Sequence, residues 1–267
     1  FESRFEARKS EFPGITAVVP EVTDWPTYRR DTQRTGRSSA ELQFPMHLQW
    51  VHHSQHAPAP AWPAPAVHDF WNRKHNLQPR VTFDRAFHSV CVGDRLYFGS
   101  SADDKVYCLD ATTGKQLWAF FTEGPVRLAP TIAEDKLLFG SDDGFVYCLN
   151  SATGKLIWKY RHDANGADRR IPGNERMIAA MPVRSGVLVE DDVAYFSAGI
   201  FPNQGVYQVA VDVNTGQPLG SGKLNVSAQG YLERRSGKLY VPAARDPAGA
   251  FATELVRRGK GVGQDAN

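Results

Sequence analysis

The feature that most constrains this chain is a repeat. Leu96-Tyr97-Phe98-Gly99-Ser100 leads to Val106-Tyr107-Cys108-Leu109-Asp110, then Thr113-Gly114-Lys115 and Leu117-Trp118. The order returns as Leu137-Leu138-Phe139-Gly140-Ser141, Val146-Tyr147-Cys148-Leu149-Asn150, Thr153-Gly154-Lys155 and Ile157-Trp158. Trp118 and Trp158 stand 40 residues apart, as do Gly114 and Gly154, a period that suits four short strands and their turns. A looser third copy runs from Val193-Ala194-Tyr195-Phe196 through Val206–Asp212 to Thr215-Gly216, with Gly216 62 residues after Gly154. About 22 residues are therefore inserted, mostly in the polar stretch Asp163–Glu175. A fourth copy begins at Gly237-Lys238-Leu239-Tyr240-Val241-Pro242 and then loses the pattern.

Within each copy the apolar, β-branched runs are short and bounded by Gly, Asp, Asn and Ser, which favours strands over helices. The best copy predicts strands near 127–132, 136–141, 145–150 and 156–161. Asp142-Asp143-Gly144 and Thr153-Gly154-Lys155 supply the hairpin turns, because Gly tolerates the positive φ of tight connections. Four antiparallel strands of this kind form one apolar sheet that cannot bury both faces alone, so several must pack around an axis as blades of an all-β propeller. Trp118 and Trp158 recur at one repeat position, where a large ring covers the seam between sheets; substrate stacking is the alternative use of such a ring.

The organisation along the chain follows. Residues 1–23 form an N-terminal segment, and 24–55 a lead-in whose Leu48-Gln49-Trp50 suits the outer strand of an earlier or closing blade. Residues 56–84 read as a Pro-rich linker, 85–242 as the repeats and 243–267 as an irregular tail.

The strings Tyr107–Trp118 and Tyr147–Trp158, with the opening Asp24-Trp25-Pro26-Thr27-Tyr28-Arg29-Arg30-Asp31 and Arg34-Thr35-Gly36, resemble bacterial pyrroloquinoline-quinone-like (PQQ-like) β-propeller repeat proteins. The resemblance covers about 24–50 and 86–242. It implies a propeller of seven or eight blades, of which this chain carries three plus parts of one or two, the others expected from the rest of a natural chain. It also implies an extracytoplasmic place, the periplasm or cell envelope. Its members include quinone-dependent alcohol and sugar dehydrogenases and an outer-membrane assembly lipoprotein that only binds partners, so the fold does not choose the function.

Polar residues on the innermost strands line a propeller's channel mouth; here they are His88, Arg127, Arg176, Arg184 and Gln229. Three arginines around one mouth can clamp a carboxylate or phosphate, and PQQ is such an anion. The same arginines can instead close salt bridges between blades. Asp103-Asp104 and Asp142-Asp143 offer oxygen ligands for Ca²⁺, yet they occupy hairpin corners where Asp stabilises turns without an ion. His52, His53 and His56 lie beside the Pro-rich stretch without Cys or acid at compact spacing, so no metal site is expected there. The Asp163–Glu175 insertion, with Arg169, Arg170 and Asn174, departs furthest from the repeat and is a place for binding specificity or for plain mobile surface.

Several activities find no support. A formal net charge of +2, from 31 basic and 29 acidic residues, leaves no field for a polyanion, so nucleic acid is not an expected partner. Cys91, Cys108 and Cys148 lack metal-ligand spacing and read as small buried apolar residues, at least one unpaired. Nothing approaches the roughly 20 apolar residues that span a bilayer, and no basic-then-apolar leader is present, but a start at Phe1 is also what processing or truncation leaves, so targeting signals do not assign the compartment. No nucleophile elbow places Ser, His and Asp for acyl transfer, and Asn225-Val226-Ser227 is a glycosylation pattern frequent by chance. The adjacent cysteines of many quinone alcohol dehydrogenases are absent. The expectation is a non-enzymatic scaffold for a protein or small ligand; the rivals are a quinone-dependent oxidoreductase with PQQ and Ca²⁺ at the mouth, and one part of a larger multidomain enzyme.

Overall fold

A computed structural model describes residues 19–61, 86–162, 169–173 and 176–242, with the backbone of three short strands at 253–255, 257–258 and 261–262. Residues 1–18, the linker beyond Ala61, most of the tail, and 163–168 and 174–175 of the insertion lie outside the described residues. The described chain is all-β, with no helix.

Blade 1 is β1 (Ser89–Val92), β2 (Arg95–Ser100), β3 (Lys105–Asp110) and β4 (Gln116–Phe121). Blade 2 is β5 (Thr131–Ala133), β6 (Lys136–Gly140), β7 (Phe145–Asn150) and β8 (Leu156–Arg161). The insertion forms a hairpin, β9 (Arg170–Gly173) and β10 (Arg176–Ala179). After β11 (Ser185–Gly186), blade 3 comprises β12 (Leu188–Glu190), β13 (Val193–Ala198), β14 (Val206–Asp212) and β15 (Pro218–Leu224). After β16 (Gly230–Tyr231), which pairs in parallel with β11, blade 4 has three strands: β17 (Glu233–Arg235), β18 (Lys238–Val241) and β19 (Thr253–Leu255). A last hairpin joins β20 (Arg257–Arg258) to β21 (Gly261–Val262). Each blade is an antiparallel meander in sequence order, inner strand first.

The inner strand of blade 2 is shorter than expected, 131–133 rather than 127–132. Pro125 and Pro130 have no N–H to give a ladder. The stretch instead crosses from the preceding sheet: Val126 donates its N–H to Ser100 O at 3.3 Å, and Val183 repeats this on Ser141 O at 3.0 Å. Gly99 and Gly140 permit the crossing, since a Cβ on either would stand 2.4 or 2.3 Å from the valine side chain above it.

Seams between blades repeat one arrangement. The Oδ1 of Asp110, Asn150 and Asp212 accepts the N–H and hydroxyl of the Thr three residues on, closing a tight turn. The following Gly114, Gly154 and Gly216 take φ of +71°, +68° and +71°. On their bare faces lie Trp50, Trp118 and Trp158 respectively, each from the preceding segment, with ring atoms 2.6–2.7 Å from where a Cβ would sit. The three indole N–H groups donate to Ala111 O (2.9 Å), Ser151 O (3.2 Å) and Val213 O (2.8 Å). Trp50 thus takes the place of an outer-strand tryptophan ahead of blade 1. Opposite Ala210 in blade 3, where Trp118 and Trp158 oppose Cys108 and Cys148, stands Gly220.

Cys108 and Cys148 are fully buried behind those tryptophans and Cys91 partly so; all three are free thiols. Burial pushes the Cys108 thiol up to about 12 and raises that of Cys148 further.

The seam yields a stability prediction. Trp158→Ala, at a side chain only 1% exposed, should cost about 3–5 kcal/mol in urea unfolding, and Trp118→Ala, partly exposed, less. A loss below about 1 kcal/mol at Trp158 would mean that the indole does not hold the seam.

Candidate functional site

The four inner strands begin at one end of the axis, the end that also carries the hairpins between second and third strands. Arg127, Arg184 and Gln229 hold one repeat position there, each four residues before Thr131, Leu188 and Glu233. All three are buried.

Arg127 and Arg184 converge on one carboxylate. Arg127 Nε donates to Asp142 Oδ2 at 2.8 Å, while Arg184 Nε and Nη2 donate to Oδ1 and Oδ2 at 2.8 and 2.9 Å. Burial alone would raise the Asp142 carboxyl, but the charges and hydrogen bonds of Arg184 and Arg127 outweigh it and hold the group below its ordinary range. The cluster is covered on two sides. Arg127 Nη1 donates to Ala59 O at 2.7 Å, from the start of the Pro-rich stretch, and Ala179 N of the insertion hairpin donates to Asp142 O at 2.9 Å.

Arg176, also from that hairpin, is not part of the cluster. It pairs with Asp104 at the hairpin corner of blade 1 and donates from Nη2 to Ala102 O at 2.8 Å. Arg170 of the same hairpin reaches Glu123 Oε2 at 2.9 Å. Gln229 lies beside Arg184 by the β11–β16 register; its Nε2 donates to Ser227 Oγ at 2.9 Å and its Oε1 is buried with no hydrogen-bond partner.

His88 stands two positions further along its blade, level with Tyr231, and its ring lies 5.7 Å from that of Tyr231 and 5.9 Å from that of Tyr28. Tyr28 and Tyr231 stack with centroids 3.5 Å apart and planes 4° apart. The Tyr231 hydroxyl accepts the Ala129 N–H at 2.7 Å. Rings from the lead-in, from the residue before β1 and from β16 therefore pack together.

That packing depends on Arg34, which the sequence did not single out. Its guanidinium gives Nε to Leu232 O (2.8 Å) and Nη1 to Thr27 Oγ1, Tyr28 O and Asp31 O (3.0, 2.9 and 3.1 Å). Burial lowers it to about 10. Held this way, the lead-in runs across three blades: Trp25 pairs with Cys91, Pro26 O accepts Ile132 N–H at 2.8 Å, and Thr32 O accepts Arg234 N–H at 2.7 Å. The signal was the Arg34-Thr35-Gly36 string itself.

In each acidic corner one aspartate, Asp103 or Asp143, also bonds within its own hairpin. Asp103 and Asp143 accept the hydroxyls of Tyr107 (3.2 Å) and Tyr147 (2.7 Å), and their N–H groups face Ser100 and Ser141 Oγ. His56 Nδ1 lies 2.8 Å from Asp103 Oδ1, and His52 packs edge-on against Phe98. Among the described residues no group of three or more His, Cys, Asp or Glu side chains is arranged to hold a metal ion.

Comparison with known proteins agrees with this architecture. The model of a family described as outer membrane protein assembly factor BamB matches residues 64–238. Among solved structures, the quinohemoprotein alcohol dehydrogenase from Comamonas testosteroni superposes with a TM-score of 0.53 at 15% identity, covering 85% of this chain and 38% of that one. A europium-containing methanol dehydrogenase gives 0.50 at 18% identity, covering 76% and 32%. This chain thus spans about a third of the length of these dehydrogenases, and at such identities the likeness shows the fold alone. No curated protein matches the sequence.

Removing Asp142 leaves two buried guanidiniums facing each other. Asp142→Ala should cost about 3–5 kcal/mol, whereas Arg176→Ala, at a partly exposed pair, should cost about 1 kcal/mol. The depressed Asp142 pKa gives a sign for acid: its stabilisation is present above the unfolded value of 3.8 and lost as pH falls through the lower folded value. Acid unfolding of Asp142→Asn should therefore show a shallower loss below that pH than the parent; equal slopes would remove Asp142 from the account.

Proposed function

We propose that this chain, which belongs to the family described as outer membrane protein assembly factor BamB and is a PQQ-like β-propeller repeat protein, acts as a binding scaffold for another protein or ligand in the cell envelope. The observation that carries this reading is the state of the mouth: Arg127 and Arg184 both engage Asp142, under Ala59 and the insertion hairpin. An enzyme site needs convergent polar groups open to a substrate. Here the shared repeat position serves cohesion between blades.

The residues nominated for PQQ do not fit it in this arrangement. A quinone with carboxylates would need the guanidiniums that Asp142 holds, and a flat space where Tyr28 stacks on Tyr231. The corner aspartates that Ca²⁺ would require accept tyrosine hydroxyls and arginines instead. The envelope location is supported by the family description; among the described residues no helix is long and apolar enough to cross a membrane.

Thermal unfolding with and without PQQ plus Ca²⁺ tests the reading, since a ligand of the native state raises the midpoint by mass action. The expected result is no shift. A saturable rise that Arg127→Ala and Arg184→Ala abolish would overturn the scaffold in favour of a quinone-dependent oxidoreductase.

A further inference from the structure

Residues 24–36 are held against the blades as a ligand is held, not as a part of their core. Among the described residues, the lead-in adds only Tyr28, partly buried, to the three apolar clusters of the blades. Its own buried residues are Thr27 and Arg34, both polar. The anchors are directed bonds. Trp25 exchanges two main-chain hydrogen bonds with Cys91 of β1 at 2.8 and 2.9 Å, and Asp24 Oδ1 accepts the Gly93 N–H at 3.0 Å. Pro26 O accepts Ile132 N–H from β5, where Thr27 Oγ1 also meets Thr131 Oγ1 at 2.9 Å. Thr32 O accepts Arg234 N–H from β17. Tyr231 of β16 receives the Tyr28 ring on its face, with the Arg34 guanidinium 5.8 Å from its centroid.

The segment also carries its own shape. Arg30 N–H donates to Thr27 O (2.9 Å), Arg34 N–H to Asp31 O (3.2 Å), Gly36 N–H to Arg29 O (2.9 Å) and Thr35 N–H to Asp31 Oδ1 (2.9 Å). A loop closed by its own hydrogen bonds loses little freedom on docking. Beyond it, residues 37–49 are exposed throughout, so the tether towards Trp50 runs over the surface.

We propose that β1, β5 and the β16–β17 stretch form a peptide-binding site, filled here in cis by residues 24–36 and open to a peptide of the same chemistry in trans. That chemistry is a Trp-Pro-x-Tyr run, a self-closed turn, and an arginine six residues after the tyrosine. Cys91, Ile132 and Arg234 each bond a main chain laid opposite them, and Tyr231 takes a flat ring. Arginine is required because Arg34 serves four acceptors, Leu232 O, Thr27 Oγ1, Tyr28 O and Asp31 O, whereas a lysine ammonium has three donors and no planar fork. The inference rests on the scaffold reading and gives the scaffold a site and a ligand class.

The test uses the whole chain with a protease site inserted between Ser39 and Ala40, in the exposed tether. After cutting, residues 1–39 should stay with the blades in size-exclusion chromatography at micromolar concentration. A fluorescein-labelled synthetic peptide of residues 19–37, added in excess, should then replace them, with a saturable rise in anisotropy. Peptides carrying Arg34→Lys or Tyr28→Ala should bind about tenfold or more weakly, and as the substitutions lie in the peptide, folding of the protein is not at stake. A cut chain that no longer unfolds cooperatively would make the lead-in a part of the core and overturn the proposal. Intact blades that release the lead-in and bind no peptide would do the same, as would a retained lead-in that excess peptide never replaces. None of these failures touches the scaffold reading, which the PQQ titration decides.

Discussion

Everything in this molecule hangs on an indole laid across a glycine. A four-stranded sheet that is apolar on both faces has no independent existence, and neighbouring sheets must approach closely enough to exclude water. The turn glycines meet two demands at once: a left-handed backbone that closes the turn, and no Cβ where the ring lies. The indole N–H then satisfies a carbonyl at the start of the same turn. Hydrophobic area, backbone geometry and one directed hydrogen bond coincide at these three seams. Where the ring is missing, at Gly220, the join to blade 4 relies on an aliphatic cluster that includes Leu188, Val206, Leu224, Leu232 and Leu239.

What the sequence made legible is what the chain encodes locally. The Asp/Asn–Thr–Gly turns, the short apolar runs and the recurring tryptophan are contiguous, so period and strand order can be read directly. The third copy lost its spacing only because a hairpin had been inserted, and that hairpin, β9–β10, hid the equivalence of Arg127 and Arg184. The prolines before β5 carried the information that its strand is short, but their effect depends on where the chain must cross.

The parts that were not legible are joined through backbone carbonyls. Arg34 makes its hydrogen bonds to Leu232, Tyr28 and Asp31 main-chain oxygens, which leave no residue-type signature at the receiving end. Arg29, Arg30 and Arg34 take φ of 53°, 78° and 57°, values that composition does not announce for arginine. Asp142 was read as a turn residue, and it is one; that two distant guanidiniums would share it depends on how three sheets fan around an axis. A buried ion cluster of this type contributes less to net stability than to fixing one arrangement, because the desolvation of its charges offsets much of their attraction.

The two repeat cysteines set an order of events during the protein's formation. Once Cys108 and Cys148 are enclosed in separate sheets, an oxidant finds little thiolate to attack, because burial keeps both protonated at neutral pH. Before that, the unfolded chain displays three ordinary thiols that can pair with one another in any combination. In an oxidising compartment such a chain is in a race: sheets 1 and 2 must close before a wrong bridge forms, and after closure Cys108 and Cys148 are out of an oxidant's reach.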